Sequence, residues 1–259
     1  MSDNIIKFSS YEDTKKSLLE YHKTIIAEIG REFNFPNVAK LPFIGLRKNV
    51  ELGFLCSPLI EWEYDAVFKY GKKHVFDEYY PIIVDLKRQK VIPRKFYDYS
   101  CSIIYGHIFS PLYHQNVIYS CFINFFKKPI FKSFNAQYSA LEQELVVKTS
   151  AFFRKQNKYG PEQISISILD ECFMTLLISG FLSPFMKFFI NKNEQNALLA
   201  EKIYQEQINL LEQILNEDGN TDFYRVFFYL DMENDKMLIL FALSKEKWID
   251  FLEKTCYPY

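Results

Sequence analysis

The stretch Tyr105–Phe134, YGHIFSPLYHQNVIYSCFINFFKKPIFKSF, decides how the chain is read. It has no acidic residue, and its formal charges are those of Lys127, Lys128 and Lys132. Gly106, Ser110 and Pro111 mark a turn. Beyond it Phe122, Phe125 and Phe126 follow at spacings near three and four, as do Phe131 and Phe134 after Pro129. That period predicts a helix with its rings along one face. Such a face is buried either in the chain's own core or against a partner.

Composition sets the outer bounds. The chain has 259 residues, 49% hydrophobic and 18% aromatic, with 26 Phe, 18 Tyr and only 8 Gly. It is long enough for one large domain or two small ones with a real core. So few glycines argue against phosphate-cradling loops. The net charge of −1 gives no overall footprint for nucleic acid or an anionic membrane. A bias toward AT-rich codons accounts for the aromatic excess, and so does a chain that buries much surface in a larger assembly. The five cysteines (Cys56, Cys101, Cys121, Cys172, Cys256) are scattered and form no CxxC, so they read as free thiols in a reducing compartment. No signal peptide is read at the N-terminus. The uncharged runs Cys101–Phe126 and Cys172–Met186 are too interrupted or too short to span a membrane, and a cytoplasmic location is expected.

In chain order, residues 10–33 read as a helix capped by Ser10, and residues 34–48 as an irregular, Pro-punctuated segment. Alternation at Val50, Leu52 and Phe54, then in Leu59–Phe68 and Tyr80–Leu86, predicts a small antiparallel sheet. Residues 139–157 continue as helix. Glu162–Ser179, apolar nearly all round after Gly160-Pro161, reads as a central helix interrupted by Asp170 and Glu171. Residues 193–216 form the cleanest amphipathic helix, with Leu199, Ile203, Leu210 and Ile214 expected to face inward. Asp222–Leu230 and Lys236–Leu243 around a short MEND loop predict a hairpin, and a last helix follows Ser244. No internal repeat is read.

One stretch carries enzymatic chemistry as an alternative. Asp65 sits on one expected strand and Asp85-Leu86-Lys87 at the end of the next, similar to the PD-(D/E)XK nuclease core. Period-two geometry puts Asp85 and Lys87 on one face, and two carboxylates suit a hard octahedral cation. The bland alternative is a solvated strand edge. The four histidines have no HExxH or CxxC partner, and no GxSxG, Walker or GxGxxG motif is present, so no metal and no cofactor are expected.

Gly106–Phe134 resembles the wedge protein TssG of type VI secretion baseplates. The turn GHIFSPLY and the segment FINFFKKPIFKSF carry the resemblance. RKNVELGFLCSPLIEW upstream and LLISGFLSPF downstream are similar to further segments of that family. The resemblance implies a non-enzymatic structural subunit that assembles with TssF-like and TssK-like partners. It further implies that Phe109, Pro111, Leu112, Phe122, Phe125 and Phe126 shape the core or the partner contact. The expected fold is α+β and predominantly helical. Residues 1–100 hold an N-terminal helix and a small sheet. Residues 101–259 hold an aromatic-rich helical region, a C-terminal hairpin and a helix, continuous with the first part. An immunity or other binding protein is a further alternative.

Overall fold

A computed structural model of the chain describes residues 11–13, 15–16, 19–20, 40–47, 49–58, 100–109, 117–126, 136–217 and 222–256. The fold is α+β. The chain divides into two compact units, Met1–Phe134 and Asn135–Tyr257.

In the first unit, residues 11–13, 15–16 and 19–20 are helical, within the span expected to be a helix. A four-stranded antiparallel sheet follows: β1 (Lys40–Arg47), β2 (Val50–Pro58), β3 (Ser100–Phe109) and β4 (Val117–Phe126), in the order β1-β2-β4-β3. β1 falls in the segment read as irregular. Pro42 made it look unstructured, but the pairing with β2 shifts register between Lys40 and Phe43. β1 is an outer strand, and an outer strand with such an irregularity is where a sheet accepts proline. Arg47 opposes Val50, which leaves a two-residue connection.

The helix expected over Tyr105–Phe134 is corrected here: the described part is the β3–β4 hairpin. Val117, Ile118, Tyr119 and Ile123 are β-branched or aromatic, and β4 pairs on both sides, with β2 and β3. Across the β2–β4 ladder Val50 opposes Phe125 and Leu52 opposes Ile123, and all four side chains are buried together with Phe54. Each such burial contributes about 1.5–3 kcal/mol. Arg47 and Glu51, of opposite charge, are buried in the same unit. The expected strands Leu59–Phe68 and Tyr80–Leu86 lie outside the described residues.

The second unit opens with α1 (Ala136–Asn157). The hairpin β5 (Gln163–Leu169) and β6 (Phe173–Ser179) comes next, then α2 (Pro184–Ile190) and α3 (Glu194–Asn216). The hairpin β7 (Tyr224–Asp231) and β8 (Lys236–Ala242) and the helix α4 (Lys245–Cys256) complete it. Its sheet runs β5-β6-β8-β7, all antiparallel. The central helix expected over Glu162–Ser179 is therefore a hairpin. Its acidic interruption is the turn. Asp170 and Glu171 both hold positive φ (48° and 56°), and the Cys172 N–H donates to the Leu169 carbonyl at 3.1 Å. Two consecutive positive φ angles are the mark of a primed hairpin turn.

One face of this sheet carries Ile166, Ile168, Met174, Leu176, Ile178, Met237, Ile239 and Phe241. It packs against Leu145, Phe152 and Phe153 of α1 and Tyr204, Ile208, Leu211 and Leu215 of α3. On the opposite face the Phe173 ring meets Trp248 and Phe251 of α4 edge-on, at 6.3 and 5.4 Å. Helices thus cover both sides of β6, so its buried residues do not alternate with exposed ones. The helix starts are capped as their sequences dictate. Ser183 accepts from the Met186 N–H (3.2 Å) ahead of Pro184, Asn193 from the Asn196 N–H (2.8 Å), and Ser244 from the Lys247 N–H (3.1 Å). Glu142 of α1, itself buried, accepts the Ile168 N–H of β5 at 3.0 Å. At the start of β7 one extra residue, Val226, interrupts the pairing with β8. There the Arg225 N–H donates to Glu212 (3.2 Å) and its guanidinium to Asn209 (2.8 Å).

Candidate functional site

Two features of the second unit combine exposed or charged chemistry with a defined frame. The first is a clamp at the tip of the β7–β8 hairpin. Asp235 sits in the left-handed region (φ 52°) and gathers three donors. Its Oδ1 accepts from the Leu182 N–H at 2.9 Å, its main-chain carbonyl from the Gly180 N–H at 3.0 Å, and its Oδ2 lies 2.8 Å from Lys187 Nζ. The hairpin tip is thereby tied to the loop that leaves β6 and to α2. The hydrogen bond and charge of Asp235 raise the Lys187 pKa above its ordinary value. Tyr204 of α3 packs edge-on against Phe181, with ring centroids 4.8 Å apart. Burial raises its pKa strongly, and the nearby Asp235 charge adds to the shift. Gly180, at φ 66°, belongs to the same loop. This is a structural clamp: its carboxylate is committed to main-chain donors and a lysine.

The second feature is the outer face of α2 and α3. Phe185 and Phe188 are 69% and 61% exposed, and Leu198, Leu199, Ile203 and Leu210 are also exposed. Phe185 stacks on Phe189 with centroids 6.2 Å apart, and Lys192 Nζ lies 4.8 Å from the Phe188 ring centroid. α3 therefore carries two apolar stripes. Ala200, Tyr204, Ile208, Leu211 and Leu215 face the core. The residues expected to face inward, Leu199, Ile203 and Leu210, instead form a stripe toward solvent, with Ile214 half-buried at its end. The 3.6-residue period admits either assignment. What decides is bulk, because Tyr204 fills the space beneath Phe181. Large apolar side chains left exposed along one stripe of a helix make this face the candidate contact surface.

The residues singled out in the sequence fall differently. Phe109 ends β3, and Phe122, Phe125 and Phe126 lie in β4. Phe125 is buried against its neighbours in the sheet. Pro111 and Leu112 lie outside the described residues, as do Asp65, Asp85 and Lys87 of the nuclease-like alternative. Among the described residues, no group of three or more His, Cys, Asp or Glu is placed to hold a metal ion.

Residues 137–245 match a family model described as MpsC, Na+-translocating membrane potential-generating system. The match begins in α1 and ends at the first residue of α4, so it spans the sheet and the first three helices of the second unit and under half of the chain. No curated protein and no solved structure matches. This finding corrects the type VI secretion reading. The matched family is not a baseplate family, and the TssG resemblance falls with it, as do the baseplate role and the TssF-like and TssK-like partners. The resemblance rested on short turn motifs, Ser110-Pro111 and Ser183-Pro184 among them, which any chain uses at strand ends and helix caps. Among the described residues, no helix is long and apolar enough to cross a membrane.

Proposed function

We propose that the chain is an accessory subunit of a Na+-translocating, membrane-potential-generating system, working through its MpsC-like second unit. The match of residues 137–245 to that family model carries the reading. The exposed α2–α3 face supports it, because a subunit that attaches to a transport system needs an apolar contact surface. In this reading the contact is made with an apolar surface of a membrane-embedded subunit, through Phe185, Phe188, Leu199 and Ile203. The chain is not an enzyme in this reading; its role is to bind and position. The scattered spacing of the cysteines, with no CxxC, favours the cytoplasmic side in this reading.

The test is genetic and electrical. Cells of the native host lacking the gene are loaded with a potential-sensitive dye and measured at low and high external Na+. Loss of the Na+-dependent part of the potential, restored by the wild-type gene and not by a Phe185→Ser/Phe188→Ser/Leu199→Gln variant of equal abundance, is the expected result. A potential unchanged by deletion at both Na+ concentrations would overturn the proposal.

A further inference from the structure

The two units repeat one plan. Each begins with helical residues: 11–13, 15–16 and 19–20 in the first, α1 in the second. Each then has a hairpin, a long connection (residues 59–99 and 180–223) and a second hairpin. Both sheets are wholly antiparallel, and both place their strands in the order first, second, fourth, third. Corresponding strands begin at Lys40 and Gln163, Val50 and Phe173, Ser100 and Tyr224, and Val117 and Lys236. The offset is thus nearly constant along the chain.

Strand order alone does not imply common descent, because the rules of chain connection leave few topologies to choose from. One finer detail is not dictated by topology. The third strand of each sheet carries an irregularity within its first three residues, opposite the end of the fourth. It falls between Ser100 and Ser102 in the first unit and between Arg225 and Phe227 in the second. Bulges are inserted residues with a definite local purpose, and they are retained once established.

We propose that residues 1–134 are a second, diverged copy of the module matched at residues 137–245, so that one chain carries a tandem pair. The sequence hides this because the two copies keep a pattern of pairing rather than a pattern of residues. β5 alternates Ile and Ser, whereas its counterpart β1 reads KLPFIGLR. Whatever surface the module uses, the chain then supplies it twice at a fixed stoichiometry. A single-module protein could match that only by dimerising. The inference does not depend on the functional reading above.

An experimental structure of the full-length chain, by crystallography or by NMR, tests it. The two units are expected to superpose in chain order over one helix and four strands. The extra residue should fall at Cys101 in the first and Val226 in the second, and the leading helix should pack on the same sheet face in both. A different strand order in the first unit, or a leading helix on the opposite face from that covered by α1, would overturn the proposal. So would an unbulged third strand. Each of these readouts is blind to Na+ transport, so failure here and failure of the functional test remain distinct.

Discussion

Replacing Gly180 by alanine tests the clamp at the second unit most directly. Gly180 holds φ 66°, where an L-residue costs about 1–2 kcal/mol. An added Cβ would also stand 2.4 Å from Glu162 Cγ and 2.6 Å from its Cβ and Cδ. Glu162 cannot swing its near end away freely, because its N–H donates to the Ser179 carbonyl at 3.0 Å. Relieving the overlap therefore moves main chain, at about 1–3 kcal/mol. The expected loss is about 2–5 kcal/mol from the two contributions. Urea unfolding of the full chain, followed by Trp248 emission in a Trp62→Phe background, reads the second unit alone. Glu162→Gly combined with Gly180→Ala removes the overlap and leaves the φ cost, so a double-mutant cycle should return the steric part as coupling. A Gly180→Ala chain within about 0.5 kcal/mol of its parent, or a cycle with no coupling, would refute the reasoning.

Three further outcomes are expected. Tyr204 is raised mainly by burial and Tyr229 by burial and Asp231, so the fold favours their neutral forms. The stability this gives is intact below pH 10 and is lost as the pH climbs from there toward the folded-state values. The slope is up to about 1.4 kcal/mol per pH unit for buried Tyr204 and smaller for the exposed Tyr229, where solvent screens the charge. Alkaline unfolding of a Tyr204→Phe chain should be correspondingly shallower. Asp235→Asn keeps an acceptor for the Leu182 N–H and tolerates positive φ but sets an amide NH2 against the Lys187 ammonium, so it should cost less than the alanine change without being neutral. Asp235→Ala should cost about 2–3 kcal/mol by thermal or urea unfolding. Glu142→Ala should destabilise the second unit by about 1.5–3 kcal/mol and speed amide exchange at Ile168, whose N–H it accepts.

Legibility in the sequence followed local chemistry. α3 was readable because Asn193 caps it and its polar residues recur on one side. The β7–β8 hairpin was readable because Asp231 and Asn234 build their own turn, with the Asn234 N–H donating to Asp231 at 2.9 Å. The last helix was announced by Ser244. The two hairpins read as helices failed for a common reason. β4 and β6 each pair on both sides, and their dense apolar runs lack the alternation that names a strand. A signal did exist in β5: Ile164-Ser165-Ile166-Ser167-Ile168 alternates strictly, and Asp170-Glu171 suits a turn better than a helix interior. The outward stripe was missed because α3 has two apolar stripes, and a sequence alone does not say which one meets the sheet. The duplication escaped because it lives in hydrogen-bond register, which no residue pattern records.

The extra residue in β7 has a consequence for the chain in concentrated solution. β7 is one of the two outer strands of its sheet, and an outer strand with free main-chain donors templates a strand from another molecule. At Val226 the ladder breaks step, and the neighbouring Arg225 N–H is already occupied by Glu212. An incoming strand finds neither a continuous row of partners nor a flat edge. In a chain this rich in Phe and Tyr, that local break blunts one sheet edge against growth into a fibre.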